Sequence, residues 1–230
     1  MKRKVLYMLL CAASLLLSAC GGSAASDPDS LIPQSTKGKD VTRAAAADKL
    51  FSLNWNEEFS LNPILATNHS NQLLCDLVYE NMVELDDNFN VIPNILDEGM
   101  PNDDATYWTF KINPDHVFHD GTPVTGADIR YSLERAVATQ DRFRGRFASY
   151  QGSGYDEAHF YVTLGIGDTQ FAKLLNIPVI KSGTMDIKPP VGSGPYNYRE
   201  DGHALVACEG YPGYEELPVD TIHTVAFTTA

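Results

Sequence analysis

The chain has 230 residues, of which 43% are hydrophobic and 20% charged, a composition typical of globular proteins and unlike that of disordered, collagen-like or coiled-coil chains. The 30 Asp and Glu residues outnumber the 17 Lys and Arg residues and give a net charge of -13. Because charge-driven binding to nucleic acid or to anionic lipid needs a basic surface, neither is expected as a partner. The length is sufficient for one large domain or two small ones.

The first 20 residues have the pattern of an export signal. Basic residues at 2–4 precede an apolar stretch over 5–17, which is too short to span a bilayer comfortably. The ending Leu17-Ser18-Ala19-Cys20 resembles the bacterial lipobox, which implies cleavage after residue 19 and lipid on Cys20. An ordinary cleaved signal with an incidental cysteine is the alternative. We predict a signal peptide over 1–19 and an exported protein, lipid-anchored to the cell membrane, in the periplasmic space or on the outer surface.

A flexible stalk is predicted over residues 20–48, which are rich in Gly, Ser, Ala, Asp and Pro. No later segment is long and apolar enough in sequence to cross a membrane. Cys75 and Cys208 lie in the remaining globular part, residues 49–230. They could pair in an oxidising compartment, or Cys75 could be a small buried hydrophobe within an apolar helical pattern, and the sequence leaves both readings open.

Apolar periodicity in the globular part predicts interspersed strands and helices. Strands are predicted over 50–55, 89–95, 106–112, 160–164, 205–208 and 221–227. Helices are predicted over 71–83 and 171–175, and a further one begins at Thr125, where Asp128 three residues later is typical of a capping box. Apolar residues then recur at helical spacing from Ile129 to Val137. The mixture predicts an α/β fold (mixed α+β).

The sequence contains no complete catalytic or metal-binding motif. His116 and His119 are three residues apart, but Pro114 and Gly121 disfavour the helix that would place both rings on one face, and no third ligand follows. Residues 165–167 lack the third glycine of a dinucleotide fingerprint, and no Gly-x-Ser-x-Gly elbow occurs. The motifs therefore predict no metal and no other cofactor, and they indicate no catalytic site.

Four segments in chain order resemble motifs of the family 5 extracellular solute-binding proteins, the peptide, dipeptide and nickel-type receptors of bacterial ABC importers. The first motif is Leu61-Asn62-Pro63 with 77–83, the second is 108–112 with 117–129, the third is 190–196 and the fourth is 207–214. In the second motif, Asp120-Gly121 turns the chain and Pro123 stiffens it before the helix. Asn62, Asn81, Gly126, Gly210 and Tyr211 depart from the family pattern.

The resemblance, which runs from about Lys49 to the last residue, implies a periplasmic-binding-protein-like type II lobe. Residues 49–85 and 160–230 are expected to form the main sheet, and residues 86–159 an inserted subdomain. Because family members are much longer, we expect this chain to be the first lobe, with the second lobe missing, and to bind its solute weakly alone. The resemblance also implies a binding protein and not an enzyme. Such receptors bind solute by closing two lobes on it and then dock on a membrane permease.

The function implied by the resemblance is that of a substrate-binding lipoprotein of an ABC importer, with an oligopeptide as the expected solute. First-lobe ligand contacts map to Thr67, Asn68 and His69, and after the long helix to Phe147 and Tyr150. Residues 67–69 have the alternative role of capping the next helix, and Phe147 that of an ordinary core residue.

Two other functions remain open from the sequence. One is a lipoprotein that acts by protein–protein contact without transporting a ligand, with the permease as a candidate partner. The other is an exported hydrolase, which the missing nucleophile elbow and the incomplete metal set disfavour.

Overall fold

The computed structural model describes residues 51–139 and 142–228. The expected signal peptide, the lipidation site Cys20 and the stalk over 20–48 lie outside these residues. The described residues all fall within one compact unit of the chain. None of their helices is long and apolar enough to cross a membrane.

Strands and helices are interspersed along the described chain. The strands are β1 Ser52–Asn56, β2 Val83–Leu85, β3 Val91–Pro93, β4 Met100–Pro101, β5 Tyr107–Lys111, β6 Tyr150–Tyr155, β7 His159–Leu164, β8 Tyr196–Tyr198, β9 Ala204–Ala207 and β10 Thr221–Phe227. The helices are α1 His69–Val78 and α2 Gly126–Ala138, with short 3-10 helices at Phe171–Leu175 and Tyr214–Glu216. The predicted mixed α/β class is confirmed.

The main sheet has the strand order β1-β10-β9-β8. β1 runs parallel to β10, with Ser52 opposite His223 and Asn56 opposite Phe227. β9 is antiparallel to β10 and to β8, so β8 and β9 form a hairpin. β1 and β10 come from opposite ends of the described chain, so their pairing brings these two ends together in one sheet.

A second sheet has the order β4-β5-β7-β6 and is antiparallel throughout. The assignment of residues 160–230 to the main sheet is wrong at its start, because β7 pairs with β5, with Phe160 opposite Phe110. Both phenylalanines are fully buried in the core, so the pairing places two large apolar side chains side by side. The main sheet resumes at β8.

Helix α1 ends earlier than its apolar pattern predicts. The predicted helix over 71–83 stops at Val78, since Tyr79 is extended (φ -125°, ψ 130°). From there the backbone bonds to distant segments: the Met82 N–H donates to the Ile177 carbonyl at 2.9 Å, and the Met82 carbonyl accepts from Leu96 at 2.7 Å. Long-range pairing therefore outcompetes the local helical preference.

Helix α2 begins as predicted. The backbone N–H and the hydroxyl of Thr125 donate to the Asp128 carboxylate at 3.0 and 2.6 Å, which is the reciprocal half of a capping box. The predicted apolar face is confirmed, because Ile129, Leu133 and Ala136 are fully buried. They join one core with aromatic residues of the second sheet, among which the rings of Trp108 and Phe110 stack 5.7 Å apart.

Candidate functional site

The carboxyl ends of β1 and β10 lie at the same edge of the main sheet because the two strands are parallel. The turn between β8 and β9 lies at this edge too, where the Gly202 carbonyl accepts from the Thr224 hydroxyl at 3.0 Å. In open α/β sheets, ligands bind in the crevice outside the carboxyl ends of the strands. The topology therefore identifies this edge as the candidate binding site.

The loop that follows β1 is fixed by a buried asparagine of α1. The Asn71 side chain accepts from the Asn56 N–H at 2.8 Å and donates to the carbonyls of Asn56, Phe59 and Ser60 at 3.0–3.2 Å. The Glu57 N–H also donates to the Phe227 carbonyl at 3.0 Å. One fully buried amide thus satisfies several backbone groups of a polar loop that could not otherwise pack on the core.

A cavity of about 610 Å³, here called the edge cavity, lies against this loop. Its wall consists of Trp55, residues 57–62, Leu74, Lys188, Pro189, residues 198–200, Gly202 and Thr224. The volume falls in the range of about 300–1,000 Å³ that is typical of small-molecule sites. The cavity is partly open to solvent.

A thiol and a phenol near the edge cavity are kept protonated by burial. Burial raises the pKa of the Cys75 thiol to about 12, and raises that of the neighbouring Tyr198 hydroxyl well above its usual range, so both stay protonated near neutral pH. Such a thiol is inert, because the thiolate is the nucleophile. Arg199 is already paired with Asp201, with 2.8 Å between Nη2 and Oδ2.

All four sequence motifs meet at a second, smaller cavity of about 250 Å³, here called the motif junction. It is lined by Glu80 of the first motif, residues 117–119 of the second with the adjoining His116, Ser193 and Gly194 of the third and residues 208–212 of the fourth. It lies at the end of the β8–β9 hairpin opposite the turn. The resemblance read from the sequence therefore corresponds to one place in the fold.

Backbone hydrogen bonds connect the motifs at this junction. The N–H of His119 donates to the Gly192 carbonyl at 2.9 Å, and the N–H of Gly194 donates to the Val78 carbonyl at 2.9 Å. The Cys208 N–H donates to the Pro195 carbonyl at 2.9 Å. At Gly192, an added Cβ would lie only 2.3 Å from the Val78 carbonyl oxygen, so this close approach needs glycine.

The two junction histidines have different environments. His116 Nδ1 lies 2.9 Å from Glu80 Oε2, and both side chains are buried. Burial by itself would lower the pKa of His116, but the hydrogen bond and charge of Glu80 outweigh it and raise the pKa. Burial lowers the pKa of His119, whose Nε2 donates to the Gly194 carbonyl at 2.9 Å. Both rings therefore connect the segment over 116–119 to other segments of the junction.

The first set of predicted ligand contacts lies at the start of α1. Asn68 is the N-cap, and its side-chain oxygen accepts from the N–H groups of Ser70 and Asn71 at 3.0 and 3.3 Å. Thr67 and His69 are exposed on either side of it. The capping role raised as the alternative is therefore present, and ligand contact by these three residues stays a prediction.

The second set of predicted contacts lies elsewhere. Phe147 is buried and packs edge-on against Phe171, with 6.5 Å between ring centroids, as its core alternative implied. Tyr150 is half-buried, and its hydroxyl lies 2.8 Å from the Ser153 hydroxyl. The two residues share a cavity of only about 80 Å³, far below the size of a typical ligand site. Their contact with a solute also stays a prediction.

None of the five predicted contacts lines the edge cavity. The first set of predicted contacts follows Leu61-Asn62-Pro63 in the chain, whereas residues 57–62 form part of the cavity wall. An acidic and aromatic loop directly after a predicted strand was the available signal, since loops at the carboxyl end of a sheet carry ligand contacts. The residues of the β8–β9 turn that also line the cavity carry no sequence motif that would predict a ligand contact.

A disulfide and a metal site are the remaining features considered from the sequence. Cys75 and Cys208 are both free thiols, so the disulfide left open by the sequence is not formed here. Among residues 51–139 and 142–228, no three His, Cys, Asp or Glu side chains are grouped so as to hold a metal ion.

Comparison with known proteins agrees with this architecture. The glutathione-binding protein GsiB of Pectobacterium atrosepticum is 26% identical over an alignment of 183 residues, and the match covers 73% of this chain and 35% of that relative. NikZ of Campylobacter jejuni, solved with Ni(L-His), superposes with a TM-score of 0.64 at 16% identity over 77% of this chain and 39% of its own. The oligopeptide-binding protein AppA of Bacillus subtilis, solved with a nonapeptide, superposes with a TM-score of 0.61 at 17% identity, over 78% and 41% of the two chains.

These structural similarities establish the fold of the described chain as that of part of a type II periplasmic binding protein. The chain spans about a third of the length of its curated relative and about two fifths of that of the solved structures. The family model of the bacterial extracellular solute-binding proteins, family 5 Middle, matches residues 90–229, which is more than half of the chain. The chain belongs to family 5 of the bacterial extracellular solute-binding proteins.

Proposed function

We propose that this chain is part of the substrate-binding component of a bacterial ABC importer and that its solute is an oligopeptide. The observation that carries the proposal is the edge cavity, which lies at the carboxyl ends of β1 and β10 in a family 5 lobe. The family consists of solute-binding proteins rather than enzymes. The wall of the cavity supports binding, since the buried thiol and phenol beside it stay protonated.

The oligopeptide part of the proposal is supported by one relative and by the character of the wall. AppA was solved with a nonapeptide. The edge cavity combines the half-buried apolar residues Trp55 and Leu61 with exposed polar groups of the loop over 57–62. An apolar wall with a few polar groups is suited to a ligand that has both side chains and a polar backbone. Residues 67–69, Phe147 and Tyr150 would add contacts if the solute extends beyond the cavity.

In the same proposal, a lipid on Cys20 anchors the protein outside the cytoplasm and the stalk over 20–48 lets the lobe reach a permease. The resemblance of residues 17–20 to a lipobox supports the anchor. In bacterial cells we expect Cys20→Ala to move the full chain from the membrane fraction to the soluble fraction. Continued sedimentation with the membranes would contradict lipid anchoring.

Peptide binding is tested directly by two-dimensional NMR of the full ¹⁵N-labelled chain, titrated with neutral, acidic and basic tripeptides. We expect weak but saturable shifts of amide signals from residues 57–62 and 198–202, which form the wall of the edge cavity. No saturable shift with any peptide would contradict the proposal. Shifts confined to residues 147–150 would place the peptide in the other predicted region.

A further inference from the structure

The backbone carbonyls over 59–62, in the wall of the edge cavity, already have hydrogen-bond donors within the protein. The first two accept from the Asn71 amide at 3.1 and 3.2 Å, and the third accepts from the Cys75 thiol at 3.4 Å. The carbonyl of Asn62 accepts from two N–H groups of the following turn, at 3.0 and 2.8 Å. On this side of the cavity, a solute is therefore met chiefly by side chains.

The uncharged polar side chains of the wall are bonded within the protein or shielded from solvent. The Thr224 hydroxyl donates to a carbonyl of the β8–β9 turn at 3.0 Å, and the Ser60 hydroxyl accepts from the Asn62 N–H at 2.9 Å. The side-chain amide of Asn62 donates to the Met185 carbonyl at 2.9 Å. The hydroxyl of Tyr198 is buried. These groups therefore give a polar group of a solute little to bind.

Apolar side chains form the floor of the edge cavity, and charged side chains form its rim. Trp55 and Leu61 are half-buried and pack on the hydrophobic core, Leu74 is buried, and Phe59 is 42% exposed. The charged side chains of the wall are all exposed, namely Glu57, Glu58, Lys188, Arg199 and Glu200. Apolar surface at the floor of a concave site favours a solute that removes it from water.

The apolar floor is fixed in place by the main sheet and by α1. Trp55 lies in β1 opposite Ala226 of β10, and the loop that carries Phe59 and Leu61 is held by the buried Asn71. Because these elements are already ordered, little conformational freedom is lost when a solute covers the floor.

From these contacts we infer that the edge cavity receives a bulky apolar side chain of the peptide, aromatic or branched aliphatic, which packs on Trp55, Phe59 and Leu61. This selectivity rests on the proposed function and specifies its substrate class. A small side chain covers less of the apolar floor, and a polar one loses hydration there without gaining a partner. The cavity of about 610 Å³ has room for such a side chain and for the peptide backbone beside it.

The experiment compares Ala-Phe-Ala with Ala-Ala-Ala and Ala-Gln-Ala, which have the same length and charge, titrated into the full ¹⁵N-labelled chain and followed by NMR. We expect Ala-Phe-Ala to bind at least about tenfold more tightly than either. Added salt should leave this preference unchanged, since the group that enters the cavity is uncharged.

The two tryptophans of the chain report where the side chain binds. The indole N–H signal of Trp55, in the cavity wall, should shift as Ala-Phe-Ala saturates the protein. The signal of Trp108, which is 4% exposed and lies outside the wall, should not. An unchanged Trp55 signal at saturation would overturn the inferred selectivity.

Two double variants separate the cavity from the rest of the surface. Phe59→Ser with Leu61→Ser should remove most of the preference for Ala-Phe-Ala. Leu73→Ser with Phe89→Ser, at exposed apolar side chains outside the cavity, is the matched control and should keep it. Phe59→Ser alone should lower the preference about threefold, and it replaces the first double variant if Leu61→Ser unfolds the chain.

Equal affinity for the three peptides, or an equal loss of preference in both double variants, would overturn the inferred selectivity while leaving peptide binding intact. Absence of binding by any peptide would overturn the proposed function and the selectivity together.

Discussion

The motif junction is closed by hydrogen bonds between its own segments, whereas the edge cavity is walled by exposed charged and aromatic side chains. At the junction, His116 pairs with Glu80, and His119 Nε2 donates to the Gly194 carbonyl. At the edge cavity, Glu57 and Glu200 are exposed in the wall. The comparison teaches that residues which identify the family support the fold, while residues outside most of those motifs line the candidate binding site.

The largest effect on stability is expected at a glycine of the junction. In Gly192→Ala, the new Cβ would meet the Val78 carbonyl oxygen at 2.3 Å, and the backbone on both sides would have to move. We expect a loss of about 3 kcal/mol in the free energy of unfolding, measured with urea. Gly210→Ala is the matched control, since nothing lies within 4 Å of its added Cβ. Equal stability of the two variants would contradict the close packing described for the junction.

A somewhat smaller effect is expected at the support of the edge cavity. Asn71→Ala removes one acceptor and two donors from the buried backbone around Asn56, which we expect to cost about 2–3 kcal/mol. Hydrogen exchange of the amides over 57–60 should accelerate as well. The exposed Asn88→Ala is the control and should change the free energy of unfolding by less than about 0.5 kcal/mol. Unchanged exchange in Asn71→Ala would show that the loop is held by other contacts.

A pH-dependent effect distinguishes the paired histidine of the junction. Because the pKa of His116 is raised in the folded state, its pairing with Glu80 stabilises the fold fully below the ordinary histidine pKa of 6.5 and less as the pH rises through the folded pKa. The stability difference between wild type and Glu80→Gln should therefore shrink between pH 5 and pH 9. Burial lowers the pKa of His119, and the charge of Glu80 opposes this shift in the wild type alone, so the contribution of His119 to the difference has the same sign.

The control for this pH effect is Glu209→Gln, which lies in the same cavity wall but is exposed. Its stability difference from wild type should not change between pH 5 and pH 9. A constant difference for Glu80→Gln would show that the His116 imidazole is not protonated in the pair.

The smallest effect on stability is expected at the edge cavity itself. Phe59 is 42% exposed, so Phe59→Ala should change the free energy of unfolding by less than about 0.5 kcal/mol. It should nevertheless weaken binding of a tripeptide that shifts the amides of residues 57–62 about threefold, by loss of an aromatic contact in the cavity wall. Phe89→Ala, at an exposed ring outside the cavity, is the control and should change neither quantity. A large loss of stability in Phe59→Ala would indicate that the cavity supports the fold in the way the junction does.

The sequence by itself determined the fold class, the family and many of the elements. Strand β10 has the predicted bounds, and the capping box of α2 forms between Thr125 and Asp128, because both depend on residues close together in the chain. The resemblance of four short segments indicated the family that the wider comparison then established.

Only the tertiary structure decided where α1 ends, where β7 belongs and where the candidate site lies. The apolar pattern continues through Val83, but Met82 exchanges its helical bonds for partners at Ile177 and Leu96, which the local sequence does not reveal. The edge cavity joins residues 57–62 with residues 198–202, which are brought together by the pairing of β1 with β10. Periodicity reports which face of an element is buried, whereas the identity of its neighbour is fixed by long-range packing of the whole chain.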